Sequence, residues 1–191
     1  MSIDFGKASD KFDAVMCTTG GRNDMVQGGG VFTVTCHDAD GNVKWEDGFH
    51  NLVPSQGLQY MSASFFNATG YTTQLYFGLI TGPASGTTFS AGDTLASHGA
   101  TGFGGWSEST DVGSRKLITF GTPTTNTPSI TQGTSNVFTV TGATTIAGAF
   151  VTTASSGTSG FLFAEGDFSA DKVVTIGDTL AVTYSFSLTS S

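Results

Sequence analysis

Apolar and polar residues alternate through much of this chain, and the alternation breaks at residues that make turns. In residues 31–36, Phe32, Val34 and Cys36 fall on one face, the period of two that marks a half-buried strand. Asp38-Ala39-Asp40-Gly41-Asn42 is turn chemistry, since Asp accommodates tight turns and Gly accepts positive φ. Val43 and Trp45 lead the chain back, which predicts a hairpin. Pro54 and Ser55 then end the strand and open a helix, with Ser55 as its capping residue. Leu58, Met61 and Phe65 form that helix's apolar stripe. Residues 73–80 run almost continuously apolar, as in a strand covered on both faces.

Residues 81–92 read as a loop, and residues 93–106, rich in Gly, as a second surface excursion. Strands are predicted at 115–120, at 137–140 paired with 146–151, and at 161–164, the last closed by Glu165-Gly166-Asp167. A short strand follows at 173–176. Gly177-Asp178 then turns into a long one in which Leu180, Val182, Tyr184, Phe186 and Leu188 share a face. Gly92-Asp93-Thr94-Leu95 recurs as Gly177-Asp178-Thr179-Leu180, and both read as a turn leading into a strand. Short strands separated by turn signals predict an all-β chain, a β-sandwich of Ig-like or jelly-roll type with one short helix.

Residues 1–30 carry no such period. Phe5, Phe12, Val15 and Met16 are scattered among charges, and Gly20-Gly21 and Gly28-Gly29-Gly30 read as joints. The expectation is an extended, flexible N-terminal arm over 1–30 and a single β-sandwich domain over 31–191. The arm docks on a neighbour through its apolar residues.

Composition sharpens this picture. The 191 residues suffice for one domain with a core of its own, and 16 Phe argue against disorder. Charged residues are only 12% of the chain, about half the usual ~25%. Twelve of the 22 lie in the first 47 positions; none lies between Gly48 and Gly92 or between Leu117 and Ala164. Surfaces solvated by Thr, Ser, Asn and Gln suit lasting protein contact, because little charge must be stripped of water. A net charge of −8 without a basic cluster argues against nucleic acid. No apolar run is long enough to span a membrane. The first residues have no secretory pattern, so Cys17 and Cys36 are expected as free thiols.

Motifs for chemistry are weak. Asp38, Asp40 and Asn42 mimic the start of a calcium loop, but Val43 and Phe49 stand where it needs Gly and Glu. His37, His50 and His98 lack metal-ligand spacing, and no metal or cofactor is expected. No nucleophile elbow is present. Glu108 with Asp111 is the one glycosidase-like acid pair, in a loop where solvated acids are the simpler reading. Gly99-Ala100-Thr101-Gly102-Phe103-Gly104 has the wrong order for a dinucleotide fingerprint. The residues argue against most enzymes, and no catalytic residue is assigned. Trp106, flanked by Gly105 and Ser107, is either a lid on the core or an interface anchor.

In order along the chain come Asn51-Leu52-Val53, Gly57-Leu58, Leu75-Tyr76-Phe77-Gly78-Leu79 and Gly92-Asp93-Thr94-Leu95-Ala96-Ser97-His98. Trp106-Ser107-Glu108, Arg115-Lys116, Ile146-Ala147-Gly148-Ala149-Phe150 and the final Gly177-to-Tyr184 run follow. This succession, over about residues 43–188, resembles small structural proteins of tailed bacteriophages, most of all capsid decoration (cement) proteins. The resemblance implies a virion component that binds and stabilises the shell. Its partners would be the major capsid protein and its own copies, as a homotrimer. It would be made in the host cytoplasm and sit on the capsid surface. The interface candidates are Phe5, Phe12, Val15, Met16 and Trp106. The alternatives are a fibre-type appendage holding a host glycan, marked by Trp106 with Tyr71 and Phe103, and a small wall hydrolase using Glu108, Asp111 or His98.

Overall fold

The computed structural model describes residues 26–67, 74–82, 89–98, 106–122 and 129–190. Ten strands and two helices follow one another in these segments. They are β1 (Val26–His37), β2 (Val43–His50), α1 (Ser55–Phe66), β3 (Tyr76–Thr81), α2 (Leu95–His98), β4 (Ser107–Glu108), β5 (Lys116–Leu117), β6 (Ser129–Thr131), β7 (Asn136–Thr139), β8 (Thr144–Thr152), β9 (Leu162–Val174) and β10 (Thr179–Ser190).

The strands form two antiparallel sheets, so the fold is all-β and sandwich-like. Sheet A runs β2-β1-β10-β6, with β7 also on β10; sheet B runs β4-β3-β8-β9, with β5 also on β3. Their facing side chains make one core. Phe32, Val34, Cys36, Leu180, Val182 and Tyr184 come from sheet A, and Phe77, Leu79, Ala149 and Val151 from sheet B. The Phe32 ring lies 4.8 Å from Tyr184 and 5.0 Å from Phe49 by centroid. After β2 the chain crosses to the other sheet, where Leu52 exchanges two backbone hydrogen bonds with Glu165 of β9.

The predicted hairpin forms. Asp38 Oδ1 accepts the backbone N–H groups of Asp40 and Asn42 at 3.0 and 2.8 Å, and Gly41 takes φ 87°. The calcium-like acids are therefore the turn itself.

Five expectations are corrected. Residues 26–30 belong to β1, not to an arm: Val26 to Gly30 pair with Ser190 to Phe186. The glycines are a packing seat rather than a joint, since a Cβ on Gly30 would meet Tyr184 Oη at 2.4 Å. β9 does not close at Glu165-Gly166-Asp167. It runs on to Val174, because those residues pair with Phe150, Ala149 and Gly148. Strands 137–140 and 146–151 do not pair with each other; β7 joins β10 in sheet A and β8 lies in sheet B. The crossing between them is pinned by Thr141 N–H donating to the Asp111 carbonyl at 2.7 Å. Residues 93–98 and 106 are not a surface excursion. Leu95 and Trp106 pack with Ile80, Ala147, Phe150 and Leu162 on the outer face of sheet B, and α2 is a one-turn second helix there.

Helix α1 is the fifth. Pro54 holds its N-cap position, no side chain caps it, and Ser55 N–H instead donates to the Ala91 carbonyl. Its buried residues are Gly57 and Tyr60, with Leu58 and Met61 packed partly against the core. A Cβ on Gly57 would meet the Phe163 carbonyl oxygen at 2.3 Å, so the helix backbone rests directly on β9. That contact turns Phe65, the third member of the predicted stripe, outward.

Candidate functional site

Of the two acids singled out by sequence, Glu108 is held by its carboxylate and Asp111 is held by its backbone carbonyl. Glu108 on β4 forms a bidentate pair with Arg115, with Nε to Oε1 and Nη2 to Oε2 both at 2.8 Å. The guanidinium is buried; it also donates to the Ala154 carbonyl at 2.9 Å and lies 5.1 Å from the Phe150 ring centre. An acid committed to both forks of a buried Arg is poorly placed for proton transfer. Asp111 holds the β7–β8 crossing through its carbonyl, as above.

The unforeseen polar cluster lies on the outer face of sheet B. Glu165 is fully buried, and its Oε2 accepts Trp106 Nε1–H at 3.0 Å. Burial first, and the neighbouring Asp93 carboxylate second, push its pKa up to about 9. Glu165 therefore keeps its proton at neutral pH. Asp93 is itself tied into the turn before α2, where its Oδ2 accepts Ser90 N–H at 2.7 Å. Gln56 Oε1 joins the layers by accepting N–H groups from Leu95 and Leu162, at 3.2 and 2.6 Å. The cluster fastens residues 89–98 and Trp106 onto the sheet. Sequence missed it because Glu165-Gly166-Asp167 has the composition of a turn.

The two Gly-Asp-Thr-Leu copies share one turn. Thr175 N–H donates to Asp178 Oδ2 at 2.8 Å, as Ser90 N–H does to Asp93, and each Asp N–H returns a bond to the carbonyl three residues back. The exits differ: Asp178 leads into β10 and Asp93 into α2. Asp178 also takes Lys44 Nζ at 2.6 Å. Cys36 lies nearby as a buried free thiol, its pKa raised to about 11 by burial and then by Asp178, so it is no nucleophile. No group of three or more His, Cys, Asp or Glu among the described residues is placed to share a metal ion.

Trp106 is the lid of the two readings offered by sequence. At 1% exposure it is buried in its own chain. Phe5, Phe12, Val15, Met16, Tyr71, Phe103 and Cys17 lie outside the described residues.

Among the described residues, two exposed surfaces stand out. One is the outer face of sheet A. Because Phe32 and Val34 point inward, the residues between them point outward. The register lines up Gly48-Thr33-Thr183, His50-Val31-Ser185-Thr131 and Glu46-Thr35-Ala181-Val137 across the strands. Its centre, from Val31 to Thr35 on β1 and from Ala181 to Ser185 on β10, carries no ionisable side chain on the outward positions. The other is the end of α1, where Phe65 and Phe66 are 74% and 90% exposed.

No family model, curated protein or solved structure matches the chain.

Proposed function

We propose that this chain is a structural subunit of a bacteriophage particle, a decoration protein that binds and stabilises the capsid shell. The observation that supports it is the neutral outer face of sheet A. At its centre, on β1 and β10, Thr, Ser, Val and Ala side chains form a surface that loses little hydration free energy when covered, with Glu46 and His50 on the neighbouring β2. The rest of the chain carries most of the acidic excess, with net charge −8, so a neutral face is where acidic copies meet a partner with least repulsion. The partners in this reading are the major capsid protein and further copies of the chain. A trimer suits threefold positions on a shell, and its symmetric copies multiply modest contacts into a lasting bond. The structural use of the Glu108 and Glu165 carboxylates weighs in the same direction.

The test is Thr33→Lys, which places an ammonium at the centre of the face. Thr33 is solvent-exposed, so stability should change by no more than about 0.5 kcal/mol. Binding to purified shells, measured by cosedimentation, should fall at least about tenfold, because a buried unpaired charge costs several kcal/mol. Unchanged binding would remove this face from the account.

A further inference from the structure

Glu165 sits where a carboxylate charge has no support. It is fully buried on the outer face of sheet B, and its Oε1 has no hydrogen-bond partner among the described residues. Its other oxygen accepts Trp106 Nε1–H at 3.0 Å, and its side chain also hydrogen-bonds Asp93, itself 8% exposed. With a proton the acid donates to the Asp93 carboxylate; without one, two like charges meet out of water. Neighbouring cations are committed elsewhere. Arg115 is taken by Glu108 and the Ala154 carbonyl, Lys172 of β9 by Asp47, and Lys44 of β2 by Asp178. Asp167 on β9 and Glu46 on β2 are further acids, while α1 and β8 contribute no charged residue. Within 89–98 the other ionisable residue is His98, at the end of α2, and His50 closes β2.

The layer above Glu165 is held lightly. Its regular structure is the single turn of α2. Ser55 N–H donates to the Ala91 carbonyl at 2.8 Å, and Leu95 N–H donates to Gln56 Oε1 at 3.2 Å. Leu95 and Trp106 pack on Ile80, Ala147, Phe150 and Leu162, a cluster separate from the core between the sheets. The layer can therefore leave while that core stays intact, as in local opening of a weakly held segment.

We propose that residues 89–98 and Trp106 form a proton-latched cover on sheet B. While Glu165 holds its proton the layer stays down; loss of the proton favours release of the layer and uncovers Ile80, Phe150 and Leu162, with the two-sheet core still folded. The raised pKa of Glu165, about 9, gives the same direction. Between its ordinary value of 4.5 and about 9, the ratio of released to seated layer rises tenfold per pH unit. The device does not depend on the shell reading, because it is tested on the isolated protein. It is distinct from global unfolding, because the strands of the core remain closed.

The experiment is hydrogen exchange by NMR on the full chain from about pH 5 to about pH 9. It follows the Trp106 indole N–H, the Leu95 amide and the amides of the β1–β10 ladder, each rate divided by that of an unprotected group at the same pH. The expected result is that protection of the Trp106 indole and of Leu95 falls together, tenfold per pH unit, and lies well below that of the ladder. In Glu165→Gln, which keeps an acceptor for Trp106, protection of both should stay constant with pH. In the parent alone, protection that does not change with pH, or that equals the ladder's, overturns the proposal. So does an equal fall in Glu165→Gln.

Discussion

Glu165 carries the sharpest prediction at the scale of single residues. Its folded pKa stands at about 9, against 4.5 for an ordinary Glu. A raised carboxyl pKa means that the folded state holds a proton the unfolded chain has released. The contribution to stability is complete below about pH 4.5 and is lost as pH rises toward 9, with a limiting slope of ~1.4 kcal/mol per pH unit. Asp38, Asp47 and Asp178 are held below the usual carboxylate range, Asp38 chiefly by hydrogen bonds from Asn42, and Asp47 and Asp178 by their lysine partners against an opposing burial effect. Their contributions are lost at the acid end. Urea melts across pH should therefore show greatest stability in mildly acidic buffer. Glu165→Gln keeps an acceptor for Trp106 and cannot ionise. It should match the parent near pH 4 and exceed it increasingly up to pH 9; a parallel pair of curves would contradict the assignment. Gly78 offers a second test, since its Cβ would lie 2.1 Å from the Phe150 ring. Gly78→Ala should cost about 1–3 kcal/mol by overpacking the layer beneath Trp106, read as a lowered denaturation midpoint.

At the scale of elements, legibility follows how local the determinants are. β1, β2, β3 and β10 were readable because their burial repeats every second residue, or is continuous, within a single strand. β9 was not, because its middle carries Glu165-Gly166-Asp167. Only pairing with Leu52 on one side and β8 on the other makes that triplet a strand. The glycine run at 28–30 misled for the same reason: its partners, Tyr184 and Phe186, lie more than 150 residues away. The apolar stripe of α1 was two-thirds legible. Leu58 and Met61 touch the core, but Gly57 set the helix's rotation by close approach to β9 and left Phe65 outside. Gly57→Ala should push the helix off Phe163 and destabilise by about 1–3 kcal/mol, measured by thermal melts followed at far-ultraviolet wavelengths. An unchanged melting temperature would mean that the helix does not rest on β9. The candidate site was less legible than the fold. Glu108 stood out by type, yet its partner Arg115 assigns its carboxylate to structure. Glu165 and the exposure of Phe66 depend on tertiary placement alone.

At the scale of the whole molecule, buried polar groups fasten the two-sheet body, and its broad neutral face lies outside. The inner face of sheet A is filled by aromatic and aliphatic side chains, and the outer face of sheet B is covered by Leu95 and Trp106. The outer face of sheet A is left as small hydroxylated and aliphatic side chains in register. Charge on this face is confined to its β2 edge, at Glu46 and His50, while the outward positions of β1 and β10 at its centre carry none. Glu108 and Glu165 are both tied into structural bonds, Glu108 to Arg115 and Glu165 to Trp106. The most direct measurement is the number of copies of this chain per purified phage particle, from quantitative mass spectrometry against the major shell protein. The account predicts a ratio within a small factor of one. Absence from particles would contradict it, and a handful of copies per particle would contradict the decoration role.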